Sequence, residues 1–396
     1  MRSRRGVSKS YLVAIAGIAL AALGVSAPVV AKDEPVKVGV LLPYTGTYAE
    51  LGEAITNGMK LAIEVHGGQL GGRDVEYVIV DSEANPGRAP QNASKLIIGE
   101  GVDFLVGPVH SGVAMGMLKV AREEGTITII PNAGLNAATR EFCAPNVFRT
   151  SFSAWQISYP VGQIAVDRGY QRVVTMAWNY SFGKESVEAF EESYTAAGGT
   201  VVKQILTPFP DVEFQAYLTE IASLKPDAVF VFYAGGGAVK FVKDFAAAGL
   251  NQSIQLLGTF LTDGTLEAQG DAAEGILTVL HYADGLDSLV DQQFREAYQA
   301  RFSKLADVYA VQGYDTGLLL VAGMEAVQGN TDDREALIAA MEVAAIDSPR
   351  GKFTFSKAHH PIQTLYLREA TGGVNQVIGI AAESLADPGT GCPMMD

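Results

Sequence analysis

Short apolar runs rich in β-branched residues alternate with longer stretches of helical period along the chain. The runs at 36–42, 75–80, 102–106, 128–130, 173–177, 201–205, 228–232, 254–257 and 277–280 predict strands. Between them Leu51, Ile55, Met59 and Ile63 recur every four residues, and Val290, Phe294, Ala297, Tyr298 and Phe302 mark another stripe, so amphipathic helices separate the strands. Strand and helix in alternation give a parallel α/β sheet with right-handed crossovers. More than eight such units exceed what one open sheet comfortably holds. The expected fold is therefore α/β with two doubly wound parallel-sheet lobes.

The first break between lobes is placed after the extended run 146–149, where Ser153 is positioned to cap a new helix. A second crossing is placed near 282–285, and a third near 347–351, where Ser348-Pro349-Arg350-Gly351 ends a helical pattern. Beyond it, 352–355, 363–367 and 374–380 read as strands of a closing β segment. The expected division is 35–149 with 284–346 in lobe 1, 150–283 with 347–387 in lobe 2, and a tail at 388–396. Three crossings make a hinge, and hinged lobes are a device for closing on a ligand. Parallel sheets hold ligands beyond the carboxyl ends of their strands, which makes the glycine turn and helix start from Tyr44 to Gly52 a candidate wall. An ordinary strand-to-helix turn is the alternative.

The amino terminus places that crevice outside the cytoplasm. Arg2, Arg4, Arg5 and Lys9 precede an apolar run over 11–30 and a small-residue site at Val29-Val30-Ala31, the pattern of a cleavable signal peptide over 1–31. A membrane anchor is the competing reading, since the run is nearly long enough to span. Cleavage near Ala31 leaves a mature chain from Lys32, expected in the periplasm, with no cysteine there for a lipid. Arg4-Arg5 with Lys9 is part of a twin-arginine signal, but Val7 and Ser8 depart from it, and general secretion is favoured. Removing four positive charges and no negative one takes the formal charge from −15 to −19. Such a surface repels nucleic acid and anionic lipid, while leaving a local pocket free to hold an anion on backbone dipoles.

Two cysteines remain, Cys143 and Cys392, in a compartment that permits disulfides. Their pairing would tie the tail to the body; two separate thiols are the alternative. The five histidines, at 66, 110, 281, 359 and 360, form neither His-Glu-x-x-His nor a zinc spacing with cysteine. There is no Gly-x-Ser-x-Gly elbow, Walker loop or dinucleotide fingerprint. Gly235-Gly-Gly237 opens a helix as phosphate loops do, yet lacks the lysine, and its small residues suit a close backbone approach to a ligand. An enzyme is disfavoured, and no cofactor or metal is expected.

Several short motifs stand in a fixed order: Val38-Gly-Val-Leu-Leu-Pro-Tyr-Thr-Gly46 with Gly52, Asn57-Gly58, Gly67-Gly68-Gln-Leu-Gly-Gly72, Asp81 with Asn85-Pro86, Val106-Gly-Pro-Val-His-Ser-Gly112, Asn179-Tyr-Ser-Phe-Gly183 and Asp271-Ala-Ala-Glu-Gly275. In order and spacing they resemble the periplasmic solute-binding proteins of ABC transporters, in the group typified by branched-chain amino acid receptors. The resemblance spans essentially the whole mature chain. It implies a type I periplasmic binding fold with a three-segment hinge, which closes as a monomer on a small solute and hands it to an inner-membrane ABC permease. The same lobes also serve as ligand-sensing modules of signalling partners, which is the second function class.

In that family a serine and backbone N–H groups at a helix N-terminus hold the solute's carboxylate, and Ser111 falls at the matching position. Ser111 following a strand over 104–109 and opening a helix over 113–122 agrees with an anion site, though a plain N-cap reads the same way. Ala133 and Gly134 match the second carboxylate-binding loop, with Asn132 beside them. His110 is placed to donate to the ligand, more strongly when protonated below about pH 6.5, or to serve a structural role. On the facing lobe Phe182 stands where the receptors have a tyrosine, and Tyr233 to Gly237 matches another contact loop that includes Gly235. The telling departure is Phe260, where the receptors use a carboxylate to pair the ligand's ammonium. An ammonium buried without a partner costs several kcal/mol against about −8 kcal/mol for micromolar binding. An α-amino acid is thus disfavoured unless Asp263, which also suits a helix cap, reaches in. Tyr44, Tyr48, Trp178, Tyr180, Tyr233 and Phe260 crowd the cleft segments, with Trp178 the first of them expected in the core. Tyr48, Phe182 and Phe260 suit stacking on a flat ring. The expected ligand is an aromatic carboxylate, of benzoate or phenylpropanoid type, which a related branch of the family carries. The receptors' disulfide positions hold Ala84 and His110 here, so that staple is absent.

Overall fold

β1 (Val36–Leu42) is buried almost throughout, as a continuous apolar run covered by helices on both faces must be. The computed structural model describes residues 34–395 together with Gly6, and the segment read as an export signal lies outside them. β1 leads into α1 (Ala49–Val65), whose inner face is the stripe Leu51, Ile55, Met59 and Ile63. Then follow β2 (Val75–Asp81), α2 (Ala89–Ser94), β3 (Phe104–Val106), α3 (Ser111–Glu124), β4 (Ile127–Ile130) and β5 (Val147–Arg149). The five strands form one parallel sheet in the order β2-β1-β3-β4-β5. β3 is shorter than its apolar run over 104–109 suggests. Pro108 has no N–H to continue the ladder, and Gly107 turns the chain at φ +149°.

The second lobe begins with α4 (Ala154–Asp167), capped as expected by Ser153, whose Oγ accepts from Gln156 N at 3.1 Å. It continues through β6 (Arg172–Trp178), α5 (Ser181–Ala196), β7 (Thr200–Thr207), α6 (Gln215–Leu224), β8 (Ala228–Phe232), α7 (Gly235–Ala247), β9 (Gln255–Thr259), α8 (Leu266–Gln269) and β10 (Leu277–Leu280). α9 (Leu289–Phe302), α10 (Val308–Ala326) and α11 (Arg334–Glu342) follow, and α10 packs along α1 of the first lobe. β11 (Thr354–Phe355), β12 (Pro361–Thr371) and β13 (Val374–Leu385) return to the second sheet. Its order is β11-β12-β10-β9-β8-β6-β7, with β13 on β12. The β6 to β10 part is parallel, whereas β12 runs antiparallel to β10, β11 and β13, so this sheet is mixed at one edge.

Arg350, fully buried, knits the chain crossings together. Its Nε meets Asp315 of α10 at 2.7 Å, Nη2 donates to Thr150 O at 2.6 Å, and Nη1 reaches Gln363. Thr150 and Thr316 hydroxyls meet at 2.8 Å beside it. At the tail, Cys143 and Cys392 are joined by a disulfide, and Asp387 accepts from Arg140 Nε at 2.9 Å and from the Ser153 hydroxyl at 2.5 Å. The tail is thereby fastened to the loop between β4 and β5.

Candidate functional site

A narrow cavity lies beyond the carboxyl ends of the central strands, where the two lobes meet. The first lobe contributes Tyr48 and Leu51 from the start of α1, Val109 after β3, Asn132 and Gly134 after β4, and Tyr309 from the first turn of α10. The second contributes Tyr180 and Phe182 at the start of α5, Phe232 and Ala234 around the end of β8, and Phe260 after β9, while Phe152 enters from the first crossing.

The lobes are closed over this space. Tyr48 and Tyr180 share a hydrogen bond between their hydroxyls at 2.9 Å, Gly237 N donates to Thr47 Oγ1 at 3.3 Å, and Asn136 N donates to Glu185 Oε2 at 2.8 Å. A Cβ on Gly134 would lie 2.2 Å from the Phe182 ring, so only glycine lets that ring cross to the first lobe.

The walls are aromatic. Phe260 packs at 4.8 Å between centroids on Phe152 and at 5.8 Å, nearly parallel, on Tyr309; Phe182 meets Phe232 edge-on at 4.4 Å. Phe260 has φ +58°, a conformation costing a bulky side chain on the order of 1–3 kcal/mol. The surrounding packing holds its ring in the cavity wall despite that cost. Burial pushes the Tyr48, Tyr180 and Tyr309 phenols up from their ordinary range, so all three are neutral.

Ser111 is the first residue of α3 and is 1 % exposed, it is not part of the cavity lining, and its hydroxyl has no hydrogen-bond partner among the described residues. It stands at a helix N-terminus, where the dipole favours an anion, while the N–H groups of Gly112 and Val113 are already bonded to His110. The cap of that helix is His110, whose Nδ1 accepts from Gly112 N at 3.0 Å. Burial lowers the His110 ring to about 4. It is neutral at ordinary pH, committed to the cap and stacked on Tyr180 at 4.2 Å, which corrects its expected role as a protonated ligand donor. Ala133 is likewise corrected, because its N–H donates to Pro108 O at 3.0 Å. Asn132 faces the cavity while its Nδ2 donates to Gln312 Oε1 at 2.7 Å.

On the second lobe three further expectations change. Tyr233 turns into the core, with its hydroxyl on Thr207 at 2.9 Å and its ring on Trp178, Phe214 and Phe241. Phe232, one residue earlier, faces the cavity instead. Gly235 lets the backbone approach the other lobe rather than a ligand, since Thr47 O abuts it. Asp263 neither caps a helix nor faces the cavity. Both its oxygens accept from Arg368 at 2.8 Å, and both residues are buried. Tyr44 is also tied elsewhere, to Thr56 and Asp81, and Trp178 is fully buried. Phe152 and Tyr309 were absent from the sequence reading. Each sits beside a helix cap, Ser153 and Asp307, which is the one local signal that marks them.

Buried titratable groups around the closed lobes oppose one another in the pH dependence of stability. Burial raises Glu185 and Asp307 to about 7 and Asp315 to about 6. The stability linked to these carboxyls is complete below about pH 4, their ordinary value, and is lost progressively as pH rises from there to about 7. Burial lowers His110 to about 4 and His360 to about 3, and His281 well below its usual range. Their contribution is present above pH 6.5 and lost as pH falls. Between about pH 4 and 6.5 the two sets oppose one another, so the melting temperature is expected to change little across that range and to fall below about pH 4, where the buried histidines and Asp387, held down to about 2, still titrate. A steady climb from pH 5 to 8 in scanning calorimetry contradicts this balance.

The family profile described as "Periplasmic binding protein" matches residues 35–374. The chain is 30% identical over 365 residues to a Leu/Ile/Val-binding protein homolog of Brucella melitensis biotype 1, covering 90% of this chain and 92% of that protein. A solute-binding protein of an ABC transporter from R. palustris, solved with benzoate, superposes with a TM-score of 0.89 at 52% identity, covering 91% of this chain and 99% of that one. Another from Rhodopseudomonas palustris BisB5, solved with 3,4-dihydroxybenzoic acid, gives a TM-score of 0.85 at 32% identity over 90% and 99% of the two chains.

Proposed function

The chain belongs to the periplasmic binding protein family, and from that premise we propose that it is an extracytoplasmic receptor for an aromatic carboxylate, of benzoate or phenylpropanoid type, which it delivers to an inner-membrane ABC permease. The observation that carries this reading is the lining of the closed cavity. Seven of its twelve residues are aromatic and none is charged, which gives faces for stacking and no counter-ion for a cation. Ser111 at the α3 N-terminus lies outside that lining, two residues on from Val109, which belongs to it, and its buried hydroxyl is the donor we assign to a carboxylate. An amino acid would bring an ammonium into a wall of rings, and Asp263, the acid nearest in sequence to Phe260, is already held by Arg368. This is a receptor's arrangement rather than an enzyme's.

Isothermal calorimetry and thermal shift with benzoate, phenylpropanoid acids, leucine and aliphatic acids test the proposal. An aromatic acid at a hundred times its dissociation constant is expected to add about 2.7 kcal/mol to stability. Ser111→Ala should weaken the bound acid by roughly ten- to a hundredfold, the worth of a hydrogen bond to a charged group. Tight leucine binding with no response to any aromatic acid overturns it.

A further inference from the structure

We infer that Tyr309 reads a second polar group on the ligand, so that the receptor selects a ring-hydroxylated benzoate over benzoate itself. This rests on the aromatic-carboxylate reading and deepens it. Tyr309 lines the cavity, is 1 % exposed, and its hydroxyl has no hydrogen-bond partner among the described residues. A phenol buried in this way loses its hydration for nothing unless the ligand restores a partner. Its ring is fixed by parallel stacking on Phe260 and by its place in the first turn of α10, which Asp307 caps through Ala310 N at 2.9 Å. The hydroxyl is therefore presented in one position rather than swinging to find another partner.

Unsubstituted benzoate has one polar group. Its carboxylate is assigned to the Ser111 hydroxyl at the α3 N-terminus, outside the cavity lining and on a different element from Tyr309. The Tyr48 and Tyr180 hydroxyls bond one another and keep one spare proton between them. The Tyr309 hydroxyl, wholly without a partner among the described residues, is the group assigned to a ring substituent able to donate or accept. A site built to hydrogen-bond a substrate hydroxyl rejects the analogue lacking it, because its own polar group is then stranded.

The test measures dissociation constants of benzoate, 3-hydroxybenzoate and 4-hydroxybenzoate for wild type and Tyr309→Phe by calorimetry. In wild type at least one hydroxybenzoate should bind about tenfold or more tightly than benzoate. In Tyr309→Phe that advantage should vanish through weaker hydroxybenzoate binding, with benzoate unchanged or improved. Benzoate binding wild type as tightly as both hydroxybenzoates overturns the inference. So does a Tyr309→Phe variant in which all three acids weaken equally, since the hydroxyl would then serve the carboxylate. If the variant does not fold, the wild-type ranking alone decides. A wild type that binds none of the three acids removes the aromatic reading itself.

Discussion

Asp263→Ala is expected to destabilise the protein by about 3–5 kcal/mol while leaving the ranking of its ligands unchanged. Asp263 and Arg368 are both buried and joined by two hydrogen bonds of 2.8 Å, so removing the carboxylate strands a guanidinium in the second lobe. Tyr282 O at 2.8 Å and Thr278 Oγ1 at 3.2 Å continue to accept from it, which places the expected cost nearer the lower figure. Calorimetric unfolding of the variant, with and without a bound acid, checks this. The result bears on function because Asp263 is the residue on which an amino-acid reading would lean. A variant with a wild-type melting temperature and no remaining affinity would show that Asp263 faces the ligand.

That pair also shows where the sequence ceases to be readable. Its partners are 105 positions apart, and Arg368 arrives on β12 only after the chain has crossed to the first lobe and back. Local patterns are a different matter. The four-residue period from Leu51 to Ile63 specifies the buried face of α1 because a helix has only one side to hide. The contact-loop match misplaced Tyr233, and strand alternation could not have corrected it. All five residues of β8 are buried, so neither face is marked by polar residues, and nothing in the pattern says whether residue 232 or 233 turns toward the cleft. The same limit hid Tyr309. Its helix reads as apolar all round, and its assignment to the cavity depends on α10 lying against α1, a contact between residues some 250 positions apart. Ser111 reads from the sequence as either a carboxylate donor or a plain N-cap, and the fold gives the cap to its neighbour. The histidine takes the cap, so the serine hydroxyl is left over.

Gly235→Ala is expected to raise the dissociation constant for the bound acid by about tenfold or more without unfolding either lobe. Gly235 has φ +54°, which for alanine costs about 1–2 kcal/mol whether the lobes are open or closed. The added Cβ has a second effect that exists only on closure. It would lie 2.3 Å from Thr47 O, a backbone atom of the opposite lobe that has no rotamer to retreat into. Ligand affinity is reduced by the fraction of molecules able to close, so a penalty confined to the closed state appears directly in the dissociation constant. Gly236→Ala is the matched control, because its Cβ would meet Thr47 Oγ1 at 3.4 Å, an ordinary contact. Small-angle scattering at saturating ligand should then show wild type and Gly236→Ala compact and Gly235→Ala more open. If all three close alike and bind alike, the abutment of Thr47 on Gly235 does not limit closure, and the aromatic walls alone determine how far the lobes approach.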